Sequence, residues 1–226
     1  MLTPDPRHGP LVPMLLVLTV VTGLVDAVSY LELGHVFVAN MTGNVVFLGF
    51  ALAGAAGLSA TASLTALGAF VLGAMAGGHL TERLPGHRGH LLTAAVAVQA
   101  VLVAASTVLA AVVGHTSDPA RYTLIGLLGF AMGGQNAVVR SLKVPDLTTT
   151  VLTMTITALA ADRAGPRRLA SAVWMFTGAL VGALLVLHVN VPTALALALA
   201  LLVAVAALTH RAARPRPDIP GWTQPV

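Results

Sequence analysis

Ala39-Asn40-Met41-Thr42-Gly43-Asn44 is a run of small, mostly polar residues set in sequence otherwise fit for a lipid bilayer. Asp26 lies a little upstream, inside the first apolar segment. A weaker copy of the arrangement comes later: Gln135 and Asn136 end one apolar segment, and Asp146-Leu147-Thr148-Thr149-Thr150 opens the next. Polar side chains are costly in hydrocarbon, and they mark binding sites or ion paths there. The two copies read as halves of one site near the middle of a small integral membrane protein.

Composition sets the class. Hydrophobic residues make up 57% of the 226 and charged ones 9%, with a mean hydropathy of +0.89. A soluble domain carries about a quarter charged residues, so this chain cannot cover a water-facing surface. The expected fold is an all-α polytopic membrane protein. Alternating barrel-type strands are absent from the pattern. The chain has no cysteine, which excludes disulfides, thiolate metal sites and cysteine nucleophiles. A net charge of +4 does not imply nucleic acid here, because Arg-rich loops fix membrane orientation. Lys143 is the one lysine.

Residues 1–10 form a polar, proline-containing tail. The apolar run 11–31 is too long for a signal-peptide core and reads as a retained spanning helix. Further apolar segments follow at 36–57, 60–81, 91–114, 122–139, 147–161, 169–189 and 193–209. One transmembrane domain, 1–210, is therefore expected, followed by a basic, Pro-rich cytoplasmic tail at 211–226.

An internal repeat runs through this pattern. Gly23 to Val28, with Asp26, resembles Gly133 to Val138, with Asn136. Met41 to Val46 resembles Leu147 to Leu152. Gly73-Ala74 followed by His79 resembles Gly182-Ala183 followed by His188. The halves are about 11–114 and 121–209, four apolar segments each.

Charge tests how many segments cross. If all eight span, Arg83, Arg88, Arg140 and Lys143 fall outside, a poor fit to the positive-inside rule. If 36–57 and 147–161 instead enter and return on one side, every Lys and Arg except Arg121 lies inside. The segment 147–161 is also short against the roughly 20 residues a span needs. The segment 36–57 is long enough to cross, and crossing with the N-terminus outside fits the charges nearly as well. Six spanning helices plus two re-entrant or broken ones are expected. Three spans per half would give the halves opposite orientation, a signature of secondary transporters.

Asn40, Thr42 and Asn44 stand where the second segment starts its helix, and Asp146, Thr148, Thr149 and Thr150 where the sixth does. Asn, Asp and Thr are good N-caps, and a helix starting inside the membrane presents free N–H groups to an anion or polar oxygen. Gly43 would let a ligand or another backbone approach closely. Gln135 and Asn136 would line the same cavity or bridge helices, and Asp26 is the candidate for proton coupling. The competing role is local, with these residues capping and packing their own helices. Glu32 and His35 are spaced for one helix face, but two ligands do not make a metal site. No metal or other cofactor is expected. Gly73-x3-Gly77, Gly129-x3-Gly133 and Gly178-x3-Gly182 are small-residue faces for packing inside the bundle or between two copies in a homodimer.

At Gly23-Leu-Val-Asp26-Ala27-Val28-Ser29-Tyr30, then Gly34 to Asn44, the sequence resembles the YoaK family of small bacterial integral membrane proteins. Gly133-Gly134-Gln135-Asn136-Ala137 and the threonines after it resemble that family's second signature. The resemblance covers nearly the whole chain. It implies a multi-pass protein of the bacterial cytoplasmic (inner) membrane and brings no substrate. The expected function is a secondary transporter or permease for a small polar or anionic solute, with the lipid bilayer as its surroundings and no nucleic-acid partner. A passive channel or a non-transporting scaffold or assembly factor would share the architecture. An enzyme is not expected, since no Ser/His, paired-carboxylate or His-metal pattern stands at catalytic spacing.

Overall fold

The computed structural model describes residues 11–84, 88–144 and 166–213. Seven helices lie among them: α1 (Leu11–Glu32), α2 (Met41–Leu52), α3 (Ala60–Arg83), α4 (Arg88–Val112), α5 (Asp118–Ser141), α6 (Pro166–His188) and α7 (Val191–Ala213). All but α2 are apolar and long enough to cross a bilayer, which makes six candidate spans among the described residues. Helix α2 has 12 residues, about 18 Å of rise, against a hydrocarbon core of about 30 Å. The sixth apolar segment, 147–161, and with it Asp146 and Thr148 to Thr150, lies outside the described residues.

Helix α1 is the bundle's axis. It is apolar on every side and 78% buried over its span, whereas α6 is only 22% buried. A helix hydrophobic all round is either central or lipid-facing, and both cases occur here. Val71, Val101, Phe176 and Val203 are exposed on the outside of α3, α4, α6 and α7, where lipid would cover them.

Two helix pairs are built alike. Helices α3 and α5 run parallel, with Gly73 against Phe130, Gly77 against Gly134 and Ala137, and Thr81 hydroxyl to Ser141 hydroxyl at 3.4 Å. Helices α1 and α6 also run parallel, with Gly178 against Val20 and Gly182 against Leu24 and Ala27. The backbones touch because glycines remove the side chains between them. A Cβ on Gly73 would lie 2.0 Å from the Phe130 carbonyl oxygen, and one on Gly178 would lie 2.2 Å from that of Val20. All three Gly-x3-Gly faces are thus used inside the chain. In these contacts Gly182 matches Gly77, not Gly73 as sequence similarity pairs them. Small residues recurring every helical turn leave the register ambiguous by one turn, and the packing decides it.

The connections place α2. Glu32 at the end of α1 meets His115, just past the end of α4, at 3.2 Å. Glu32, Gly34, Gly57, Ser59, Ala62 and Arg121 line one surface depression. The end of α1 and the start of α3 are therefore at the same end of the bundle. Whatever lies between them, α2 included, leaves and returns on one side. The ends of α3 and α5, with Arg83 and Arg140, lie at the opposite end. With no native cysteine, single cysteines check this directly. Ala56→Cys and Thr116→Cys should react with a membrane-impermeant thiol reagent from one face, and Glu82→Cys only from the other. Labelling of Ala56→Cys and Glu82→Cys from the same face would mean that α2 crosses.

Candidate functional site

The chain between α1 and α2 is irregular, yet Val36, Val38 and Ala39 in it are fully or almost fully buried. Irregular backbone inside a membrane protein must find hydrogen-bond partners within the protein, and two side chains supply them. Asp26, on α1 and 4% exposed, accepts the Val38 and Ala39 N–H groups at its Oδ1, each at 2.9 Å. Its Oδ2 accepts from the Asn40 side-chain amide. Asn44, in the first turn of α2 and fully buried, faces Phe37 from the other side. Its Oδ1 accepts the Phe37 N–H at 2.8 Å, and its Nδ2 donates to the Phe37 carbonyl at 2.5 Å. The amide thereby does for Phe37 what a neighbouring strand does in a sheet.

Aromatic stacking closes this knot. Tyr30, Phe37 and Phe47 form a triangle of rings, with centroids 5.1 Å (Tyr30–Phe37), 5.7 Å (Phe37–Phe47) and 6.0 Å (Tyr30–Phe47) apart. Gly43 accommodates the Phe37 ring, since a Cβ there would lie 2.6 Å from Cδ2 of that ring. The close approach expected at Gly43 is therefore made by a ring of the chain itself. Asn40 stands at the N-cap of α2, but its side chain makes no cap bond; it is turned to Asp26.

The structure thus brings Asp26, Asn40, Gly43 and Asn44 together, with the polar side chains pointed at one another and at the loop backbone. Thr42 is exposed on α2. Glu32 pairs with His115, and His35, which borders the same depression as Glu32, sits edge-on to Tyr30. Asn136 is half-buried and donates to the Met132 carbonyl one turn back, at 2.9 Å.

Gln135 goes elsewhere, into the bundle core. Its Oε1 accepts from Gln99 Nε2 of α4 at 2.6 Å, and its Nε2 donates to Thr22 Oγ1 of α1 at 3.3 Å. Thr22 passes its own proton to the Leu18 carbonyl at 2.9 Å. A chain of polar groups therefore links α4, α5 and α1 at a place buried from both water and lipid. Thr22 stands one turn before Asp26 on α1, so this chain and the Asp26 knot are neighbours. Sequence reasoning missed Gln99, because α4 read as a clean apolar segment. The signal was there: an amide in the middle of an apolar helix deserves the suspicion given to Gln135.

Comparison with known proteins adds the family. Residues 14–208 match the family described as "Protein of unknown function (DUF1275)". The UPF0700 transmembrane protein YoaK of Bacillus subtilis (strain 168) is 33% identical over 157 residues, which is 67% of this chain and 67% of that protein. No solved structure matches. With six apolar helices of spanning length and a match that takes in both the Asp26 knot and the Gln135 segment, the chain belongs to the DUF1275, or YoaK, family of multi-pass membrane proteins.

Proposed function

We propose that the protein moves a small polar or anionic solute across the bacterial cytoplasmic membrane, by way of two repeat halves of opposite orientation. The reading is of a transporter or permease and not of an enzyme. One observation carries it. The parallel pairs α1 with α6 and α3 with α5 are held by corresponding glycines, as expected if the first and second spans of each half pack against the second and first spans of the other. Inverted repeats that meet near the midplane are a recurrent transporter design. The Thr22–Gln135–Gln99 chain supports the reading, since buried amides where such halves meet suit a polar solute passing between them. The basic end, with Arg83, Arg88 and Arg140, would face the cytoplasm.

A scaffold or assembly role is the second reading. It is favoured by the pairing of Asp26, Asn40 and Asn44 with the chain itself, which leaves that cluster little to offer a solute. Reconstitution of the full chain into liposomes separates the two. Light-scattering swelling assays with glycerol, acetate, nitrate and phosphate should show at least one solute entering faster than into protein-free vesicles. Gln135→Leu should slow that entry several-fold. If folded protein accelerates none of the four, the transport reading falls and the scaffold reading stands.

A further inference from the structure

The depression shared by the end of α1 and the starts of α3 and α5 encloses about 400 Å³, within the usual range for small-ligand pockets. Gly34, Gly57, Ser59 and Ala62 give it walls without bulk. Two opposite charges border it, Glu32 from α1 and Arg121 from α5, with side chains 34% and 29% exposed. Arg121 is also the one Lys or Arg that the charge pattern leaves on this side of the membrane. A cation kept against that rule calls for a reason.

Neighbours hold both groups and leave one atom of each free. His115 bonds Glu32 Oε2, and Asp118 accepts from Arg121 Nη2. Glu32 Oε1 and Arg121 Nη1 make no hydrogen bond among the described residues, and neither is closed off from solvent. The Arg121 stem packs on the wall of the depression, with Cδ 3.8 Å from where a Cβ on Gly34 would stand, so the guanidinium ends within three bonds of that wall. The Ser59 hydroxyl accepts the Ala62 N–H at 3.2 Å and keeps its own proton to donate. Charges held in place in this way lose little freedom when a ligand arrives.

A simple anion on Arg121 would meet the Glu32 carboxylate, and a simple cation on Glu32 would meet Arg121. A metal ion is poorly served, since no three His, Asp or Glu side chains converge among the described residues. A molecule carrying both charges suits both groups. We propose that the depression binds a zwitterionic amino acid with a short side chain. Its carboxylate accepts from Arg121 Nη1 and the Ser59 hydroxyl, and its ammonium donates to Glu32 Oε1. The site is independent of the transport reading, since it uses none of the buried amides and its occupant need not cross.

The test uses the full chain in lipid nanodiscs, which expose both faces, and saturation-transfer NMR. The ligands are L-alanine and L-serine; propionate and ethylamine, with one charge each, are the half-ligands. At least one amino acid should bind saturably and about fivefold or more tightly than either half-ligand, as a hydrogen bond to a charged group provides. Arg121→Gln should reduce the amino acid to the level of ethylamine and leave ethylamine no weaker. Glu32→Gln should reduce it to the level of propionate and leave propionate no weaker. General damage to the fold would not give this crossed pattern. The proposal is overturned if neither amino acid outbinds both half-ligands on the parent protein, a result that needs no variant. It is overturned equally if either variant keeps the parent's preference. Should a variant not fold, Leu58→Trp, on the rim before α3, takes its place, and binding retained in it sinks the site.

Discussion

Gly133→Ala is expected to break the α3–α5 contact and leave little assembled protein. A Cβ on Gly133 would stand 2.0 Å from the Phe70 carbonyl oxygen and 2.9 Å from the Ala74 backbone nitrogen. Even a close C–H···O contact spans about 3.3 Å, so the helices must part by roughly an ångström. Both clashing atoms are backbone in helices, and neither can rotate away. Overpacking costs about 1–3 kcal/mol when side chains can shift, and here the cost lies at or above the top of that range. Alanine returns about 1 kcal/mol of helix propensity, which does not offset it. Gly126→Ala on the same helix is the control, because no atom lies within 4 Å of a Cβ there. It should be neutral or slightly stabilising. After a series of heat steps in detergent, size-exclusion chromatography should show Gly126→Ala surviving as the parent does and Gly133→Ala lost at far lower temperature. Equal survival of the two would mean that α3 and α5 do not meet at Gly133.

Much of this architecture was legible beforehand, for physical reasons. A run such as 91–114 has one stable fate in a membrane, so the spans could be read from hydropathy. The polar run at 39–44 had to mark a break, because its side chains do not suit lipid. What it does there was not legible. Asp26 and Asn40 are fourteen positions apart, and nothing local says that the first accepts from the second rather than from a solute or a proton. Capping rules pointed Asn40 at its own helix, but the buried N–H groups of Val38 and Ala39 had no other partner, and their need organised the cluster around Asp26. The one-turn register between glycine faces was hidden for a related reason: it depends on which carbonyls meet across two helices, and no residue's identity records that. The fate of 36–57 turned on the ends of α1 and α3, which the loop contacts of Glu32 and Gly34 bring to one side. Gln99 was overlooked because a single amide hardly moves a hydropathy average.

Asp26→Leu should have the other large effect, and the series around it separates a structural carboxylate from a coupling one. Leucine would leave the buried Val38 and Ala39 N–H groups and the Asn40 amide without their acceptor. Each orphaned buried donor costs about 1–3 kcal/mol, so the two backbone groups alone account for roughly 2–6 kcal/mol. That is comparable with the whole stability of many domains, about 5–15 kcal/mol, and folded protein should be nearly absent in the same chromatographic assay. Asp26→Asn is milder: one oxygen still serves Val38 and Ala39, but the new amide nitrogen faces the amide nitrogen of Asn40, donor against donor. A melting temperature between parent and Asp26→Leu is expected. Combining it with Asn40→Asp puts an acceptor opposite the new donor, and the double variant should recover stability beyond the sum of the single changes, as partners in direct contact do. A carboxylate kept for proton coupling would behave differently. Asp26→Asn would then melt like the parent and lose only gradient-driven solute uptake, and moving the carboxylate to position 40 would restore nothing. Recovery in the double variant identifies the Asp26–Asn40 pair as the clasp that holds the α1–α2 loop inside the bundle; its absence would return Asp26 to the transport pathway.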